Sequence, residues 1–86
     1  MDVKTIIANN VKPLVFEYFD YLKEWEASGI DNYSYAIWGT EVEGYEIQFR
    51  HDVESPQYIA KNVPTIEEAM QLCNAHHKAR ILKEYF

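Results

Sequence analysis

Residues 33–50, Tyr33-Ser34-Tyr35-Ala36-Ile37-Trp38-Gly39-Thr40-Glu41-Val42-Glu43-Gly44-Tyr45-Glu46-Ile47-Gln48-Phe49-Arg50, decide the fold. Tyr33, Tyr35 and Ile37 alternate with Ser34, Ala36 and Trp38, the period of two that places one set on each face of a strand. Gly39-Thr40 and Gly44 bracket a turn. Beyond it Tyr45, Ile47 and Phe49 alternate with Glu46, Gln48 and Arg50, which predicts the antiparallel partner. After Ser55-Pro56, Gln57-Tyr58-Ile59-Ala60 reads as a short third strand at an edge of the sheet.

The chain after this sheet reads as one helix over 66–84. Thr65-Ile66-Glu67-Glu68 is a capping box, in which the Thr65 hydroxyl accepts from the Glu68 amide. Glu67 and Glu68 complement the positive end of the helix dipole, and Lys78, Arg80 and Lys83 the negative end. Ile66, Ala69, Met70, Cys73, His77 and Ile81 fall on one broad face at helical spacing. The chain before the sheet has two readings. Pro13, Leu14, Val15, Tyr18, Tyr21, Leu22 and Trp25, with Gly29 as a stop, fit an amphipathic helix. The same stretch also fits two extended pieces, Leu14-Val15-Phe16 and Trp25-Glu26-Ala27, around a loop. The helical version gives the element order α-β-β-β-α, which resembles a double-stranded-RNA-binding domain.

Eighty-six residues form a single domain, with one small core and little room for a substrate pocket. Fourteen acids against eight bases give a net charge of −6, which argues against tracking nucleic-acid phosphates directly. The RNA-binding version fails on the same ground, because Glu67 and Glu68 stand where such domains carry lysine and arginine. Cys73 is the single cysteine, so no internal disulfide forms, which suits a reducing cytoplasm. Met1–Ala8 is too poor in apolar residues for a secretion leader, and no apolar run reaches membrane-spanning length. The sequon Asn32-Tyr33-Ser34 therefore reads as coincidence.

Three pieces carry a resemblance: Val11-Lys12-Pro13-Leu14-Val15-Phe16, then Trp25-x-Ala27 leading to Tyr35-x-Ile37, then Thr65-Ile66-Glu67-Glu68-Ala69 with Ala79-Arg80-Ile81-Leu82. Together they resemble a loose group of small phage and prophage proteins, over most of the chain but through structural motifs. The resemblance implies a sheet first and one C-terminal helix, favouring strands in the first third, and a mobile-element origin. It supplies no catalytic motif. The chain departs from the group at Asn74, His76 and His77 and in a longer Phe16–Glu24 segment.

Two constellations offer chemistry. Cys73 and His77, at i and i+4 on the helix, are a candidate metal pair completed by His51 and Asp52, or a thiol–imidazole nucleophile. Against this, a cysteine on an apolar helix face is more often a small hydrophobe. The acidic residues are the better lead. Between positions 17 and 46, eight acids face only Lys23, a local charge of −7 that exceeds the net charge of the whole chain. Trp38 falls on the strand face opposite to Tyr35 and Ile37, as an outward anchor.

These readings predict an α+β fold: an antiparallel sheet of three to five strands with a C-terminal helix on one face. The expected function is that of a non-enzymatic, acidic, cytoplasmic binding protein of phage or mobile-element type, without cofactor or metal. Its expected partner is a protein with a basic surface, and the concrete form is an anti-defence (anti-CRISPR-like) inhibitor that masks a nucleic-acid-binding groove. The residues expected to carry it are Glu17, Asp20, Glu24, Glu26, Trp38, Glu41, Glu43 and Glu46. The alternatives are a homo-oligomeric accessory phage protein, a homodimer being the simplest case, and a metal-binding enzyme or sensor using Cys73 and His77.

Overall fold

The computed structural model describes residues 3, 6, 10–30, 32–52 and 54–85. Asp31 of the acidic window, and most of the opening segment read for a leader, lie outside them. Five strands, β1 (Glu17–Phe19), β2 (Glu24–Ser28), β3 (Tyr33–Thr40), β4 (Gly44–His51) and β5 (Gln57–Val63), precede the C-terminal helix α1 (Ile66–Tyr85). Each strand pairs antiparallel with its chain neighbour, in the spatial order β1-β2-β3-β4-β5. This is the α+β arrangement expected, at the five-strand end of the range.

The central hairpin forms for the reasons the alternation gives. Tyr35 pairs with Phe49 and Ile37 with Ile47, so their side chains share one face. At its tip Gly39 adopts φ 126°, and a Cβ there would run into the Gly44 carbonyl oxygen. Thr40 Oγ1 accepts from the Glu43 amide at 3.1 Å and closes the turn.

Residues 17–28 form two strands joined by a turn, and the helical reading over 14–28 is overturned. The chain reverses at residues 20–23, where Leu22 N donates to Phe19 O at 3.1 Å and Lys23 takes a φ of 55°. Trp25 and Ala27 then pair with Ile37 and Tyr35, extending the sheet. The strand on the other side of the turn is Glu17–Phe19; Leu14-Val15-Phe16, the extended piece expected, only leads into it. Leu14 N donates to Asn74 Oδ1 at 2.7 Å, which ties this lead-in to the helix.

β5 runs on past Ala60 to Val63 and forms an edge of the sheet. Its pairing with β4 is irregular on either side of Ile47, and Asn62 takes a φ of 59°. Helix α1 starts at the expected cap, with Glu68 N donating to Thr65 Oγ1 at 3.1 Å. It packs over β4 and β5, seating Ala69 and Cys73 on Ile37, Ile47, Phe49 and Val63. Full burial of a side chain such as Ile37 or Ile47 contributes about 1.5–3 kcal/mol. No described helix is long and apolar enough to cross a membrane.

Candidate functional site

Helix α1 covers one face of the sheet, and among the described residues no helix packs on the other, called here the open face. Residues directly opposite one another share a face, so the register builds that open face row by row. One row reads Phe19, Glu24, Trp38, Glu46, which places the Trp38 indole between two carboxylates on neighbouring strands. The next reads Glu17, Glu26, Ala36, Gln48, Tyr58. Glu17 and Glu26 are thus directly opposed, a like-charge pair that costs stability.

Ala36, in the middle of this face, is only 1% exposed. Arg50 Nε donates to Gln48 Oε1 at 2.7 Å, and its Nη2 lies 3.6 Å from Glu24 Oε2. Glu24 is 9% exposed, and burial holds its carboxyl above the ordinary carboxylate range. Arg50 offsets part of that rise and the charge of Glu26 adds to it. On its other side Trp38 meets the Tyr58 ring at 6.1 Å, edge to face, and Lys61 caps Tyr58 at 4.4 Å. A shallow cavity of about 460 Å³ opens beside Trp38, lined by Leu22, Lys23, Glu24, Gly39, Thr40 and Arg50. A second hollow of about 310 Å³ lies along Glu17, Phe19 and Glu26.

Of the eight residues expected from the sequence, Glu17, Glu24, Glu26, Trp38 and Glu46 lie on this face. Asp20 sits in the β1–β2 turn, and Glu41 and Glu43 in the β3–β4 turn. A meander sends both turns to the same end of the sheet, so the register gathers all eight on one face and its rim. Sequence reasoning missed Tyr21, Leu22 and Val42 on that rim. Val42, between Glu41 and Glu43, is 97% exposed, and Tyr21, after Asp20, is 81% exposed. Acid–apolar alternation confined to a turn is the signal that marks Val42.

The covered face holds a different polar arrangement. Tyr33 Oη and His77 Nδ1 share a hydrogen bond of 2.6 Å, and Tyr35 Oη and His76 Nδ1 one of 2.7 Å. Arg80 lies over the rings of Tyr33 and Phe49, at 5.3 and 5.1 Å, and its Nη2 donates to His51 Nδ1 at 3.1 Å. Gly29 makes this possible, since a Cβ there would occupy the space of the Tyr33 ring. Burial lowers the pKa of both His76 and His77, and Arg80 and His77 lower that of His76 further.

Cys73, the candidate ligand or nucleophile, is fully buried in the core, and burial pushes its thiol up to about 12. Among the described residues no group of three or more histidine, cysteine, aspartate and glutamate side chains converges as a metal set would. His77, its proposed partner, is committed to Tyr33, and His51 to Arg80 and, at 3.8 Å, Glu54. No protein-family model, no curated protein and no solved structure matches this chain.

Proposed function

We propose that this chain is a non-enzymatic binding protein whose open sheet face docks on a basic protein surface. The observation that carries the reading is the cross-strand row in which Trp38 lies between Glu24 and Glu46, next to the opposed pair Glu17 and Glu26. Among the described residues no cation lies within ion-pair distance of Glu17, Glu26, Glu41, Glu43 or Glu46. A surface that leaves five carboxylates without counter-charges around an aromatic anchor complements clustered lysine and arginine, steering the encounter and fixing its register. Clustered lysine and arginine are the electrostatic footprint of nucleic-acid-binding surfaces. With the resemblance to small phage proteins, this supports an anti-defence inhibitor that occupies a host groove in place of nucleic acid.

The test is a tagged pull-down from host lysate treated with nuclease, followed by competition of the captured partner with duplex DNA. Wild-type protein is expected to retain one basic partner, released by salt and by the duplex. The variant Glu41→Lys/Glu43→Lys/Glu46→Lys is expected to retain none. Unchanged capture by that variant at low salt would falsify the reading. So would a stable dimer in light scattering that buries Trp38 between two copies.

A further inference from the structure

On the helix side, the segment that leads into the sheet meets α1 and leaves a hollow of about 200 Å³, lined by Val11, Lys12, Pro13, Asn74, His77 and Lys78. The meeting is pinned: Leu14 N donates to Asn74 Oδ1 at 2.7 Å, and the Leu14 side chain is buried in the core. Pro13 restricts the backbone just before that bond. Asn74, His77 and Lys78, at i, i+3 and i+4, share one stretch of helix surface. The hollow is therefore a built feature of the place where two distant segments join.

The polar groups around it are donors. Asn74 is occupied, since its Nδ2 donates to Met70 O at 3.1 Å and its Oδ1 accepts from Leu14 N. His77 is only 6% exposed, and Tyr33 Oη holds its Nδ1 at 2.6 Å, so the ring nitrogen left to the hollow is Nε2. Burial favours the neutral imidazole. With Tyr33 donating to Nδ1, the N–H of that neutral ring stands at Nε2. Lys12 and Lys78 are exposed, and among the described residues no carboxylate lies within ion-pair distance of either. No carboxylate lines the hollow. Two uncompensated ammonium groups and one N–H thus border a small space with Val11 and Pro13 as its apolar walls.

We propose that this hollow binds a small phosphate monoester as its dianion, with the phosphoryl oxygens on Lys12 Nζ, Lys78 Nζ and His77 Nε2 and the organic group against Val11 and Pro13. The charges match, because two ammonium groups meet a group that carries close to −2 above its second pKa of about 6. Lysine binds phosphate as a point charge, and charge-assisted bonds to its oxygens are stronger than neutral ones. A carboxylate would bring one charge to the same donors and leave one ammonium uncompensated. The site lies on the opposite side of the sheet from the acidic rows and does not depend on the docking reading.

The experiment titrates the full chain with phenyl phosphate and follows the histidine ring signals by NMR at about pH 7.5, where the ester is mostly a dianion. Phenyl sulfate, of the same shape with one charge fewer, is the comparison. Phenyl phosphate is expected to shift the His77 signals saturably, with a dissociation constant on the order of millimolar, and to leave those of His51 in place. Phenyl sulfate is expected to bind roughly fivefold more weakly. Lys12→Gln and Lys78→Gln, both at exposed positions, should each weaken phenyl phosphate roughly threefold to fivefold. Lys83→Gln, outside the hollow, should leave the affinity unchanged. Equal affinity for the two esters overturns the inference. So does the absence of a saturable His77 shift, or a loss in Lys83→Gln as large as in the other two variants, which would report the overall charge of the chain rather than a site.

Discussion

On the helix side of the sheet, β3 and β4 present Tyr33, Tyr35, Ile37, Ile47 and Phe49, each at most 4% exposed. On the other side the same strands present Ser34, Ala36, Trp38, Glu46, Gln48 and Arg50. The covered face needs polar atoms too, and it closes them on one another: two tyrosine hydroxyls on two imidazoles, and a guanidinium on two rings and a third imidazole. The open face joins Arg50 to Gln48 and Glu24 but also sets Glu17 opposite Glu26. One face is therefore arranged for the stability of the chain alone. The other keeps the opposed like pair Glu17 and Glu26 at a cost in stability, and it is the face proposed to dock.

The largest break in this comparison is expected from the covered face. Phe49→Ala removes a ring that touches Tyr33, Tyr35, His76 and Arg80, and should cost about 3–5 kcal/mol in a urea titration. A loss under about 1 kcal/mol would mean that the aromatic cluster is not what holds α1 to the sheet.

A smaller effect is expected from pH. Folding lowers the pKa of His76 and His77, so the unfolded chain binds more protons as pH falls below the ordinary histidine value near 6.5. Their contribution is complete above that value and is lost as pH falls from it through the depressed folded values. Urea midpoints measured from about pH 7.5 down to about 5 should therefore decline, and less steeply for His77→Gln. A flat wild-type profile would show that the two imidazoles are not neutral in the seam.

The smallest effect belongs to the open face. Glu17→Lys turns an opposed like pair into an attractive one across from Glu26, and should stabilise the chain by about 0.2–1 kcal/mol. The same change should weaken partner capture. Gaining stability while losing capture is the signature that separates the two faces; losing stability would contradict the opposed register.

Parts of this were legible in the sequence because local chemistry alone specifies them. Alternation in 33–50 and the Thr65–Glu68 cap needed no distant partner. The first third was ambiguous because Tyr18, Tyr21, Leu22 and Trp25 fit a helical stripe. Tyr21 and Leu22 are apolar residues exposed on a turn, so the stripe they completed was not a buried face. The acids of the site were visible as a charge imbalance. Their gathering into rows with Trp38 was not, because it depends on where each turn reverses the chain. His77 reads from the sequence as part of an apolar stripe or of a metal pair with Cys73, and His76 only as its neighbour. Their true partners, Tyr35 and Tyr33, lie 41 and 44 residues away on β3. Two inward-facing tyrosines whose hydroxyls need acceptors were the available signal.

The irregular pairing of β5 bears on how the chain behaves among copies of itself. A free edge of seven residues is long enough to be extended by a strand from another molecule, the first step toward a fibril. Here the ladder is interrupted around Ile47, the backbone turns left-handed at Asn62, and Lys61 places a charge beside it. The opposite rim of the sheet offers only the three residues of β1. A newly made chain beside many others therefore meets a kinked border on one side and a stub on the other, and neither is a straight template for growth.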